Sequence, residues 1–202
     1  MKMTRNTQRL TLIGIMAAIG VLLYFVAEIP IVPGVPHLKI DLSDLPAILA
    51  ALTAGPIAGI AVEVVKNVIH LAASTTFGIG EIMNVLVGSS LVLSLTLFYR
   101  LFCRVRGKAQ QTEGTVLSMN AKRVRFVIAA VITTAVTIVI GYAANLIFTP
   151  IYCMVMGWPC TSEVLWGMVL GSTTLNAVKS AVCCIPSFFL LPLIERFRFY
   201  KA

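Results

Sequence analysis

Apolar residues run along this chain in six blocks separated by polar or Gly/Pro-containing breaks. A bilayer core about 30 Å thick takes about 20 residues of α-helix, and that length decides how each block is read. Leu10 to Ala27 predicts a first span, closed by Glu28 and by Pro30, Pro33, Gly34 and Pro36, which cannot continue a helix. Ile29 to Asp44 is then a long loop in which apolar and charged residues mix. Leu45 to Ala54 is too short to cross alone; Gly55-Pro56 breaks it, and Ile57 to Ala72 follows. Whether a re-entrant hairpin or two spans, this pair belongs inside a bundle rather than facing lipid, because irregular backbone at membrane depth needs protein or a cavity around it. After the polar connection Ser74 to Gly80 come a span at Glu81 to Phe102 and a polar loop at Gln110 to Asn120. Arg125 to Phe148 predicts a fifth span stopped at Pro150, Tyr152 to Trp166 an outside loop, and Gly167 to Ile194 the last span.

The expected architecture is one all-α membrane domain over residues 1–202, with spans near 10–27, 45–54, 57–72, 81–102, 125–148 and 167–194. Composition agrees. The chain is 58% hydrophobic and 12% charged, against about 25% charged in soluble domains, so its solvent must be lipid. The first apolar block has no small-residue cleavage site and further spans follow it, so it is read as a retained helix rather than a signal peptide.

The net charge of +8 is concentrated. Of 16 Lys and Arg, 13 lie at the termini or in the connection Arg100 to Arg125, leaving Lys39, Lys66 and Lys179 elsewhere. That distribution is what the positive-inside rule produces, and it selects six spans with both termini cytoplasmic. No aromatic-basic interleaving suggests nucleic acid. Of the five cysteines, Cys103, Cys183 and Cys184 fall in or beside spans as packing residues. Cys153 and Cys160 share the predicted outside loop and are candidates for a disulfide, which spacing alone does not decide.

Ionisable residues inside a span are costly, about 2.5–3.5 kcal/mol on insertion scales, and mark places to look for function. Lys179 sits mid-span with no acid within four residues, so its partner must be another helix, Glu81 for example, or a ligand. Asn145 offers an amide that suits a heteroaromatic edge or a bridge between helices. Glu63, Lys66, Asn67 and His70 share one helical stripe, read as an intramembrane polar seam with Glu63 and Lys66 paired. Glu81 can cap the fourth span, and Asn84, one turn deeper, is placed to face a cavity. Ser43 or Asp44 can cap the second helix, and the loop before them can lid a site. Gly14, Ala17 and Ala18 give the first helix a smooth face for close packing or docking. The sequence has no GxxxxGK(S/T), GxSxG or HExxH, so neither ATP hydrolysis nor another enzymatic activity is expected, and no metal site is indicated.

The run Leu38 to Ala47, then Ala54-Gly55-Pro56-Ile57-Ala58-Gly59 and Glu63-Val-Val-Lys66-Asn67-Val-Ile-His70, resembles the substrate-binding S components of energy-coupling factor transporters, most closely their riboflavin branch. Gly80-Glu81-Ile-Met-Asn84, the Asn145 helix ending in Pro150, and Asn176-Ala-Val-Lys179-Ser180 extend the resemblance over roughly residues 9–195. It implies a six-helix subunit of the bacterial cell membrane that binds the vitamin near the outer side under its first loop. Riboflavin would be the transported ligand, with no cofactor. Carried onto matching positions, Asn145 and Lys179 would read the isoalloxazine edge, with Leu38, Lys39, Ile40, Asp41 and Asn84 nearby. Gly14 and Ala18 stand where the family has an Ala-x-x-x-Ala face that docks on the coupling subunit, itself driven by two ABC-type ATPases. The alternatives are an S component for pantothenate, folate or thiamine, or a stand-alone proton-coupled carrier; the last is weakened by the absence of an internal repeat.

Overall fold

The computed structural model describes residues 5–27, 29–30, 39–111 and 118–197. Its elements are α1 (Arg5–Val26), β1 (Ile29–Pro30), β2 (Lys39–Ile40), α2 (Asp44–Ala54), α3 (Pro56–His70), a 3-10 turn at Leu71–Ala73, α4 (Ile79–Gln111), α5 (Met119–Met156), α6 (Ser162–Phe189) and α7 (Leu191–Arg196). Among the described residues, five helices are long and apolar enough to cross a membrane, and α2 is a shorter apolar one. At 1.5 Å per residue α2 is about 16 Å long, whereas α4 and α5 reach about 50 Å and 57 Å and outrun a bilayer core.

The shortness of α2 goes with its position. Nine of its residues are buried, and α1, α3, α4, α6 and α7 all pack on it. It is the centre of the bundle, and Ala47, Ile48, Ala51 and Leu52 form its core with Val62, Leu91, Val92 and Leu95. Two glycines make this possible. Gly55, at φ +116, lets the chain turn sharply from α2 into α3. At Gly59 a Cβ would lie 2.5–2.6 Å from Val92 Cγ1, the Ala47 carbonyl oxygen and Ala51 Cβ, so three helices meet there with no room for a side chain. The helix after the break is less enclosed than expected. Val62, Glu63, Lys66, Asn67 and His70 of α3 face inward, while Val64, Val65, Val68 and Ile69 face out.

Several boundaries differ from the sequence reading: α4 runs on to Gln111 rather than ending at Phe102, α5 begins at Met119 rather than Arg125, and α6 ends at Phe189 rather than Ile194. α5 does not stop at Pro150 but continues to Met156, where Gly157 closes it in the left-handed region at φ +68. Proline removes one backbone donor; the added turn is held instead by Tyr152 and Cys153, which pack with Met168 and Trp158. The outside loop shrinks accordingly. α6 begins at Ser162 on a Thr161 cap whose side chain accepts from the Val164 N–H, and Trp166 is helical. Cys153 is therefore a buried helix residue and Cys160 an exposed one, and both are free thiols.

Candidate functional site

The loop entering α2 is organised by Asp41. Its Oδ1 accepts the Ser43 backbone N–H at 2.8 Å and the Ser43 hydroxyl, an Asx-type turn. Ser43 occupies the cap position of α2, but its side chain makes no cap bond because Asp41 has claimed it. This leaves Asp41 Oδ2 free to meet Lys179 Nζ of α6 at 3.1 Å. Asp44, in the first turn of α2, lies 3.1 Å from the same amine through Oδ2 and bonds Lys66 Nζ of α3 through Oδ1.

From these contacts a polar network crosses the bundle. Lys66 donates to Ser43 Oγ at 2.8 Å and lies 2.9 Å from Glu63 Oε2 one turn back. Lys179 donates to Asn84 Oδ1 of α4 at 2.8 Å, and Asn84 Nδ2 donates to Asn67 Oδ1 of α3 at 2.9 Å. Asn67 in turn donates to the Glu63 carbonyl oxygen at 2.8 Å. Three carboxyl groups and two amines thus share one interior, with Lys66 fully enclosed and Lys179 only 7% exposed. Charges at membrane depth need partners, and Glu63, whose carboxylate oxygens make no hydrogen bond among the described residues, has Lys66 as its counter-ion. Gly88 of α4 supplies the space for Glu63: a Cβ there would come within 2.6 Å of Oε2. Burial favours the neutral Asp41 carboxyl, but Lys179 and Lys66 outweigh it and, with the Ser43 donors, hold Asp41 well below the usual carboxylate range.

A second polar group closes the same end of the bundle. His70 Nδ1 lies 3.0 Å from Glu81 Oε1, and Glu81 Oε2 accepts from Ser74 Oγ at 2.8 Å and Thr76 Oγ1 at 3.1 Å. Tyr24 of α1 stacks on His70 at 3.7 Å. Glu81 is therefore the partner of His70 and of this turn, not of Lys179, whose acids come from the loop and from α2.

Of the residues singled out from the sequence, the structure brings Asp41, Asn84 and Lys179 together. Leu38 lies outside the described residues, and Lys39 and Ile40 are described by their backbone, paired antiparallel with Pro30 and Ile29. Asn145 is buried on α5 and donates to the Gly141 carbonyl of its own helix at 2.7 Å, and among the described residues it makes no side-chain hydrogen bond to another helix. Asn176 packs over Gly141, where a Cβ would meet its Nδ2 at 2.6 Å. On α1, Gly14 and Ala18 are exposed, but Ala17 points inward at 4% exposure, within the core rather than on a docking face. The sequence reading left Ser43, Asp44, Glu63, Lys66 and Asn67 out of the site. The signal was present in the Glu63 to His70 stripe and in the Asp41-Leu-Ser-Asp44 spacing; the missing piece was that both converge on Lys179.

The family model for the substrate-specific component of ECF transporters matches residues 8–192. The riboflavin transporter RibU of Staphylococcus aureus (strain TCH60) is 28% identical over 96% of this chain and 93% of its own length. The riboflavin transporter FmnP of Bacillus subtilis (strain 168) is 28% identical over 76% of this chain and 75% of its own. A solved S component of a bacterial ECF transporter superposes with a TM-score of 0.66 at 27% identity, covering 95% of this chain and 98% of that one. Matched over residues 8–192 and with this order of helices, the chain belongs to the substrate-specific components of ECF transporters.

Proposed function

We propose that this chain is the riboflavin-binding subunit of its transporter, taking the vitamin from outside and passing it through a coupling subunit driven by two ABC-type ATPases. The observation that carries the ligand is the likeness, over nearly the full length, to a relative named as a riboflavin transporter. The polar cluster supports a site at that end of the bundle. Lys179 donates to Asn84 and lies within ion-pair distance of Asp41 and Asp44, so three partners already surround its ammonium group. A flavin carbonyl or ring nitrogen reaches that amine only by replacing one of them. Asp41 is the one on a loop, so it can leave without unwinding a helix. Ligand entry and loop position are thereby linked through one cation, with Asn84 and Asn145 as further ligand-reading amides and the 38–41 loop as the lid.

In this reading six segments cross the membrane, α2 included, and both termini are cytoplasmic. Gly14 and Ala18 of α1 form the smooth face offered to the coupling subunit. Purification in mild detergent tests the ligand directly: the protein should come out yellow with a flavin absorption spectrum, and added riboflavin should quench the fluorescence of Trp158 and Trp166. A colourless preparation whose fluorescence ignores riboflavin, yet responds to pantothenate, folate or thiamine, moves the assignment to another vitamin.

A further inference from the structure

Further along α4, from about 9 Å to about 30 Å beyond Asn84 at 1.5 Å per residue, the bundle holds a cleft of about 1060 Å³ between α1, the α2–α3 joint, α4 and α5. Its trough is apolar, walled by residues such as Ile13, Leu93, Leu97 and Phe98, with Ile57 at its edge 81% exposed. Arg9, Arg100 and Arg104 stand at the end toward the α1 N-terminus and the α4 C-terminus, and among the described residues no Asp or Glu lines the cleft. Two features strengthen the positive field. α3 begins at Pro56 on the cleft wall, so the positive end of its dipole opens there. Arg100 Nη2 donates to the Ala51 carbonyl at 3.1 Å, which offsets the negative end of α2. Arg9 Nε has no partner among the described residues.

We propose that this cleft is a binding site for an anionic phospholipid, its phosphate on Arg9 and Arg104 and its acyl chains along the Leu93–Leu97–Ile13 trough. The pairing of charge and grease selects the occupant. A water-soluble anion makes no use of an apolar trough, and a neutral lipid makes no use of three arginines with no acid among them. A molecule already in the bilayer that carries both is an acidic lipid, and basic pockets between helices at the positively charged membrane face are where such headgroups are held.

The test is native mass spectrometry of the full chain in detergent with phosphatidylglycerol or phosphatidylcholine added. The wild type should retain phosphatidylglycerol at least fivefold better. R9Q/R104Q should lose that preference, R9K/R104K should keep most of it, and Leu97→Trp, which fills the trough, should lower retention of both lipids. Elution as a single species and an unchanged thermal midpoint establish that each variant is folded. If R9Q/R104Q does not fold, the wild-type lipid preference and the lysine pair decide. Equal retention of the two lipids by the wild type, or full phosphatidylglycerol retention in a folded R9Q/R104Q, overturns the proposal. So does a Leu97→Trp protein that keeps its lipid but no longer copurifies with the coupling subunit, which would assign the cleft to that partner.

Discussion

Lys66 and Lys179 lie in one network but are enclosed differently, and substitution should separate them. Lys66 meets Asp44 and Glu63 with no exposure at all, so Lys66→Ala leaves Glu63 buried without its cation and Asp44 with Lys179 alone. Breaking a buried pair in this way costs about 3–5 kcal/mol, and the expected outcome is a protein with a sharply lowered thermal midpoint in detergent. Lys179→Ala strands Asp41 on a loop that can turn outward, so stability should fall less while riboflavin affinity falls at least about tenfold, or about 1.4 kcal/mol. Titration and thermal unfolding of both variants check this; equal affinity losses at equal stability would remove Lys179 from the site. Asp41 also sets a pH dependence. Because its folded-state carboxyl is held below the usual range, its contribution is present above the unfolded value near pH 4 and is lost only as pH falls through the lower folded one. Asp41→Asn should therefore lower the thermal midpoint by the same amount at pH 5 and pH 8, with the difference shrinking only in stronger acid. A difference that grows between pH 5 and 8 would contradict it.

Helix contacts are set by a few small residues. Gly59→Ala puts a methyl group against a carbonyl oxygen and two side chains at 2.5–2.6 Å, and the carbonyl belongs to the central helix α2. Overpacking of this kind typically costs about 1–3 kcal/mol, so the variant should unfold at lower temperature than wild type, and an unchanged midpoint would show that α2 and α3 can move apart freely. The element boundaries tell a related story. Pro150 reads as a stop from sequence because it lacks a donor, yet α5 passes through it, since Tyr152 meets Trp158 at 5.9 Å beyond the break. Gly55 was legible as a break, and the structure agrees, because positive φ is a property of the residue itself.

For the whole subunit, the face of α1 separates folding from assembly. A Cβ at Gly14 would meet nothing within 4 Å, so Gly14→Leu should leave thermal stability and riboflavin affinity unchanged. On the proposed docking reading it should still reduce copurification with the coupling subunit. Ala17, packed inside, should show the reverse pattern when enlarged to leucine, losing stability in the isolated subunit.

By itself the sequence determined the solvent, the helical class, the positions of most breaks and the stripe from Glu63 to His70. These follow from local properties: apolar length, glycine and proline geometry, and helical periodicity within one segment. It also pointed to Lys179 as needing a distant partner, but could not say which. The tertiary structure decided that Lys179 meets Asp41, Asp44 and Asn84, the last of these 95 positions away. It likewise decided that Glu81 belongs to His70, that Ala17 faces the core and that α2 is the buried axis of the bundle. The physical reason is the same in each case. Periodicity fixes which residues share a face of one helix, whereas the rotation of that helix against its neighbours, and so the pairing of buried charges, is set only when all the helices pack.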